Sequence, residues 1–298
     1  MPRRLVLPAY GFLLVIWSST WVAIKIGLED TPALFGAGIR FTFAGLLLLV
    51  VVKSLRRSLR SDVKLVAVLA ILPFAFSYGL IYWAEQYIPS GLTAVLFGVM
   101  PLYVVILSTI WLREEPVSQR IVIGVVVALF GLAAAFGESL SLGVEERALL
   151  GAAAALIAPL ASAIGNLSIK RRGGELDPIA LNGWAMLGGG LLLLAGSATG
   201  EDWGDAVWTA QSIGAIAYLA IIGSAIAFVV LTLLLREMTA VQAAYIPLII
   251  PFGALGFGAL LYDEPVTLLA VTGAALVGGG LLLAQWPSRR RVAVVRDN

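Results

Sequence analysis

The chain has 298 residues, 60% of them hydrophobic and 13% charged, and its mean hydropathy is +0.97. Soluble domains carry about 25% charged residues, so this composition excludes a soluble protein. With no cysteine and no histidine, disulfides, thiol chemistry, zinc-type ligand sets and histidine proton relays are excluded, and the net charge of +2 says little until the charges are placed.

Ten apolar segments follow one another, at about 9–27, 35–52, 65–84, 90–112, 119–137, 148–169, 179–198, 211–234, 240–262 and 266–286. Each is near the ~20 residues a helix needs to cross ~30 Å of hydrocarbon. Lipid cannot satisfy the backbone of an open strand, and the runs lack the alternation of a β-barrel, so the segments are read as helices. The expected fold is an all-α polytopic membrane protein of ten transmembrane helices, with no interval long enough for a soluble domain.

The first segment follows Arg3 and Arg4 without a small-residue cleavage site, which reads as a retained span rather than a signal peptide. It holds Trp17, Ser18 and Ser19 near its middle and Lys25 at its end. The second carries Arg40, the deepest charge in the chain. The third contains Pro73, then Tyr78 and Tyr82 one turn apart on one face, and ends at Trp83 and Glu85. Pro101 and Tyr103 lie in the fourth, Pro159, Ser162 and Asn166 in the sixth, and Ser224 in the eighth. Gln242, Tyr245, Pro247 and Pro251 lie in the ninth.

Two stretches repeat. Thr93-Ala94-Val95, Pro101 and Glu115-Pro116 recur as Thr239-Ala240-Val241, Pro247 and Glu264-Pro265, roughly 146–149 residues later. Ile24-Lys25 and Ile169-Lys170 match more loosely, as do Pro32 and Pro178, and Gly124 and Gly273. The chain divides accordingly into a first five-helix repeat, 1–137, and a second, 138–298. An odd number of spans per repeat makes the halves face opposite ways, a transporter signature.

Placing the amino terminus inside puts all but Lys25, Arg40 and Arg147 of the 20 basic residues on cytoplasmic segments. Glu29, Asp30, Glu145, Glu146, Glu201, Asp202 and Asp205 gather on the other side. Both termini are then cytoplasmic, which requires an even number of spans.

Polar groups at membrane depth are costly and therefore informative. Tyr78 and Tyr82 read either as a cavity wall or as packing, and Trp83 as interfacial belt. Trp17, Ser19, Tyr103, Ser162, Asn166, Ser224 and Tyr245 complete a candidate substrate-binding set drawn from both halves, although serines can also bond back to their own helix. The intramembrane prolines read as kinks or as hinges. Lys25, Arg40 and Glu85 read as gating or structural charges; Arg40 could instead bind a substrate carboxylate. No Asp or Glu lies near the centre of a span, which argues against proton-coupled export of cations and for passage of neutral or zwitterionic solutes.

Trp17-Ser18-Ser19-Thr20-Trp21 with Ala23-Ile24-Lys25-Ile26-Gly27, the Arg40-Phe41 pair after Pro32, and the duplicated Pro…Glu-Pro…Gly blocks resemble the drug/metabolite transporter superfamily in its EamA-domain branch. The resemblance covers essentially the whole chain. Its length and the aromatic residues of the third helix resemble a YddG-type amino-acid exporter. The resemblance implies a basket-like bundle with a cavity lined by helices 1–4 and 6–9, and with helices 5 and 10 outside as supports or dimer contacts. Gly124, Gly131, Gly273, Gly278, Gly279 and Gly280 suit close helix packing there.

The function expected is a facilitative, alternating-access exporter of small metabolites, amino acids above all, in the bacterial inner membrane. A drug, nucleoside or sugar carrier, possibly proton-coupled through Glu85, is the alternative. The partners expected are a small-molecule substrate and membrane lipid, with no nucleic acid, and the protein as monomer or homodimer. No cofactor, metal site or catalytic residue is expected, and no Gly-rich nucleotide loop is present. A polytopic enzyme would need a catalytic cluster that the sequence does not display, and a sensor would need an output domain.

Overall fold

Within the apolar segments the backbone is helical, because lipid leaves it no other way to satisfy its N–H and C=O groups. The computed structural model describes residues 1–51, 62–111, 119–141, 146–174, 176–261 and 266–285. The basic stretch between the second and third segments, both Glu-Pro pairs and the carboxyl-terminal arginines lie outside the described residues. The helices are α1 (Val6–Asp30), α2 (Ala33–Val51), α3 (Val63–Ala84), α4 (Ser90–Trp111) and α5 (Gln119–Ser141). They continue as α6 (Glu146–Arg172), α7 (Pro178–Ser197), α8 (Ala210–Glu237), α9 (240–261) and α10 (Leu268–Gln285).

Among the described residues, seven helices, α1 to α4 and α6 to α8, are long and apolar enough to cross a membrane. The other three expected spans hold the shorter apolar stretches Val122–Gly131, Ala240–Gly253 and Leu268–Ala284. The protein is thus an all-α, multi-pass membrane protein.

Side-chain caps set several helix starts. Asp62 accepts from Leu65 N at α3, and Asp177 accepts from Ile179 N ahead of α7, whose first residue is Pro178. Thr209 with Ser212 and Thr239 with Gln242 form reciprocal capping boxes at α8 and α9. Gln242 is therefore accounted for by its own helix start. The α2 start is capped from the other half: Glu201 accepts from Leu34 N (2.8 Å) and Phe35 N (2.9 Å) and is held by Ser197 Oγ (2.7 Å).

Among the described residues, four helices depart from regular α geometry. A widened π stretch runs from Ala70 to Ser77 around Pro73 in α3, and another from Ile221 to Ile226 in α8. Pro73 lacks an N–H, and a wide turn accommodates its ring. α4 is interrupted at Gly98-Val99, just before Pro101, and α9 at Ala244, just before Pro247. Pro159 and Pro251 sit inside continuous helix.

Packing is most extensive between α5 and α10 and between α2 and α7. α1 packs on α8 and α9, as α6 packs on α3 and α4. Exchanging each helix for the one five places on maps these contacts onto each other. Glycines permit the closest approaches. A Cβ on Gly124 would lie 2.2 Å from the Gly280 carbonyl, and one on Gly45 2.5 Å from Leu187 N. Gly131 packs on the Gly273 carbonyl, Gly278 meets Phe252 at ordinary contact distance, and Gly279 faces open space.

Candidate functional site

A cavity lies where six helices meet. α1 lines it with Trp17, Thr20, Trp21 and Ile24, α3 with Pro73, Tyr78 and Ile81, and α4 with Phe97 and Met100. α6 contributes Ser162 and Asn166, α8 Phe228 and Leu231, and α9 Ala243, Pro247 and Ile250. α2 and α7, implied as lining by the resemblance, supply no wall residue. They pack tightly on each other through Gly45 and Gly190, behind α3 and α8. The cavity offers about 60 Å³ to the centre of a water-sized sphere, against the ~10–15 Å³ that one water occupies. Among the described residues, no Asp, Glu, Lys or Arg belongs to the wall.

Both widened turns are tied to the cavity helices. The Trp17 indole donates to the Gly223 carbonyl (3.2 Å) in the π stretch of α8, and the Ser162 and Ser77 hydroxyls share a bond (2.8 Å) at the π stretch of α3. The Trp17 indole thus adds a side-chain bond to the backbone of an irregular turn. Aromatic packing continues the wall. Phe228 lies 5.3 Å from Trp17, 5.0 Å from Phe74 and 6.1 Å from Tyr78, and Trp21 lies 5.5 Å from Phe97.

Arg40 is completely buried one layer behind the wall. Its Nε donates to Ser224 Oγ (2.8 Å) and its Nη1 to the Tyr82 hydroxyl (3.3 Å). The guanidinium also lies 4.9 Å from the ring centres of Phe41 and Tyr78. Hydroxyls and ring faces thus replace the water a buried guanidinium loses. Tyr78 is the partition, with the cavity on one side and Arg40 on the other.

The candidate residues therefore separate. Trp17, Tyr78, Ser162 and Asn166 converge on the cavity, while Tyr82 and Ser224 serve Arg40. Ser19 bonds the Ile16 carbonyl and the Tyr218 hydroxyl (2.6 Å), and Tyr103 donates to the Leu156 carbonyl (3.1 Å) between α4 and α6. Tyr245 starts the second part of α9, outside the wall. Lys25 donates to the backbone carbonyl of the buried Glu85 (2.8 Å). Asn166 is half-buried, and its amide makes no hydrogen bond among the described residues. Sequence reasoning missed Ser77, Trp21, Phe97 and Phe228. Trp21 and Phe228 each lie one helical turn beyond a residue that was considered, Trp17 and Ser224, so helical spacing could have reached both.

A model of the EamA-like transporter family matches residues 9–137 and 149–286. The chain is similar to YoaV of Bacillus subtilis, an uncharacterized transporter, with 30% identity over 282 residues that cover 93% of this chain and 96% of the relative. It is also similar to YedA of Escherichia coli K12, an uncharacterized inner membrane transporter (29% identity, covering 90% and 87%), and to PagO of Salmonella typhimurium (28%, covering 86% and 85%). A chain of known crystal structure shares the fold, with a TM-score of 0.69, 17% identity, and coverage of 95% of this chain and 97% of that one.

Proposed function

The chain belongs to the EamA-like transporter family, and on that footing we propose that it carries small neutral or zwitterionic metabolites, amino acids above all. That it is a membrane transporter follows from its family; the substrate class, facilitative mechanism and outward direction are the proposal. Access alternates between two inverted halves, 1–137 and 138–298, with both termini cytoplasmic in the bacterial inner membrane.

The observation that carries this reading is a cavity between the helices whose wall, among the described residues, has aromatic faces, an Asn166 amide without a hydrogen-bond partner, and no charged side chain. Such a wall penalises a solute of net charge, because little in it replaces the lost hydration. The rings accommodate an ammonium group over their faces, and the Asn166 amide can both donate and accept. The absence of a wall carboxylate favours facilitated passage over proton exchange. The room available is small for a solute of amino-acid size, so the helices must part further to load one.

Counterflow of labelled neutral amino acids in proteoliposomes, with the proton gradient collapsed, tests the reading. Uptake should persist on the solute gradient alone. Exchange of nucleosides, sugars or drugs but of no amino acid would overturn the substrate class. Loss of flux with the gradient would overturn the facilitative mechanism and direct attention to Glu85.

A further inference from the structure

Lys25 and Lys170 make equivalent bonds in the two halves. Lys25 follows the wall residue Ile24 on α1, and its ammonium donates to the Glu85 carbonyl (2.8 Å) at the carboxyl end of α3. Lys170, near the end of α6, donates to the Leu235 (3.0 Å) and Met238 (2.8 Å) carbonyls at the carboxyl end of α8. Unpaired carbonyls and the negative end of the helix dipole favour a cation at each position.

Two observations go beyond capping. α1 and α3 both line the cavity yet scarcely touch each other, and α6 and α8 also make only sparse contact. Each lysine therefore bridges two cavity walls at one end. Those ends are opposite. Gly151, near the start of α6, packs on Ala84 at the end of α3, and Arg147 lies 6.0 Å from the Tyr87 ring centre, so α6 begins beside the Lys25 bond. From Gly151 to Lys170 the helix rises ~29 Å, close to the ~30 Å of a bilayer core.

We propose that Lys25 and Lys170 are the two gate latches of the transport cycle. Release of Lys25 from the end of α3 opens the cavity at one face, and release of Lys170 from the end of α8 opens it at the other. Both are engaged in the state described here. Each latched helix carries a widened π stretch, where bending moves its end without unfolding the rest. The proposal rests on the alternating-access reading.

The chain has no cysteine, so a single cavity cysteine, Ile81→Cys, reports access without background. A membrane-impermeant maleimide is applied to either side of vesicles of defined orientation. Lys25→Met should speed labelling about tenfold from the Lys25 face only, the scale of losing one hydrogen bond to a charged group. Lys170→Met should do the same only from the opposite face, and Lys25→Arg, which keeps the donors, should stay near the parent rate. If Lys25→Met does not elute as a folded species, Lys25→Gln is read the same way. Unchanged rates, or acceleration from both faces, would overturn the latches. Flux is measured in parallel vesicles that hold the native, cysteine-free chain. If the Ile81→Cys chain labels as expected while the native chain carries no solute, the transport reading alone falls; if the native chain transports while labelling is unresponsive, the latches alone fall.

Discussion

The indole N–H of Trp17 on α1 donates to the carbonyl of Gly223, 3.2 Å away in the widened turn of α8. This bond joins a wall side chain to the irregular backbone of the facing half. Trp17→Phe keeps the ring against Phe228 and removes only the donor. It should cost about 1–3 kcal/mol, the penalty for a buried acceptor without its partner. Thermal unfolding in detergent should register the loss; an unchanged Tm would mean that the Gly223 carbonyl has other means of satisfaction.

Asn166 offers the cavity an amide with no protein partner among the described residues. Asn166→Leu should raise the apparent KM for the transported solute by about 10-fold or more, the scale of one lost polar contact in a buried site. The maximal rate should change less. Equal KM in variant and parent would remove Asn166 from substrate contact.

Two hydroxyls serve the Arg40 guanidinium at different distances, Ser224 at 2.8 Å and Tyr82 at 3.3 Å. Ser224→Ala should therefore destabilise by about 1.5–3 kcal/mol, the range for a hydrogen bond to a charged group, and Tyr82→Phe by less. Chemical unfolding of the two variants checks the order. The reverse order would show that the charge relies on Tyr82.

Tyr78 separates Arg40 from the cavity. Tyr78→Ala should leave membrane insertion intact, slow flux of neutral solutes and let anionic ones compete for the site, because the guanidinium would then face the cavity. Competition by an N-acetylated amino acid, which keeps the carboxylate and carries a net negative charge, against the parent amino acid checks this. No new preference for the carboxylate would mean that Arg40 remains screened.

Gly279 and Gly280 are neighbours in α10 with opposite surroundings. A Cβ on Gly280 would come within 2.4 Å of the Gly124 carbonyl, whereas one on Gly279 meets nothing within 4 Å. Gly280→Ala should lower Tm by forcing α5 and α10 apart. Gly279→Ala should raise stability by up to about 1 kcal/mol through helix propensity. Similar effects from both would place the α5–α10 contact elsewhere.

Hydropathy made the helices legible because a bilayer permits so few backbone solutions. Pro73 pointed to the widened turn in α3, but nothing of the kind pointed to Ile221–Ile226, where no proline marks the π stretch. Asn166 stood out as an amide in an apolar span. Trp21, Phe97 and Phe228 did not, because apolar wall residues carry no mark in a chain that is 60% hydrophobic. Arg40 reads from the sequence as a gating or structural charge, with contact to a substrate carboxylate as the alternative. Its setting behind Tyr78 depends on Ser224, 184 residues away, and on Tyr82, 42 residues away, relationships that local pattern does not encode. Gln242 was readable in principle as the fourth residue of a Thr-x-x-Gln helix start.

The carboxylate of Glu201 grips the first turn of α2, although more than half the chain is synthesised between them. During biogenesis α2 enters the bilayer with those two N–H groups still seeking a partner. It receives the protein partner only when the α7–α8 connection has emerged. The amino-terminal half therefore waits for its sibling, and a ribosome stalled just before Glu201 would already have made seven helices, α1 to α7, with the start of α2 not yet settled.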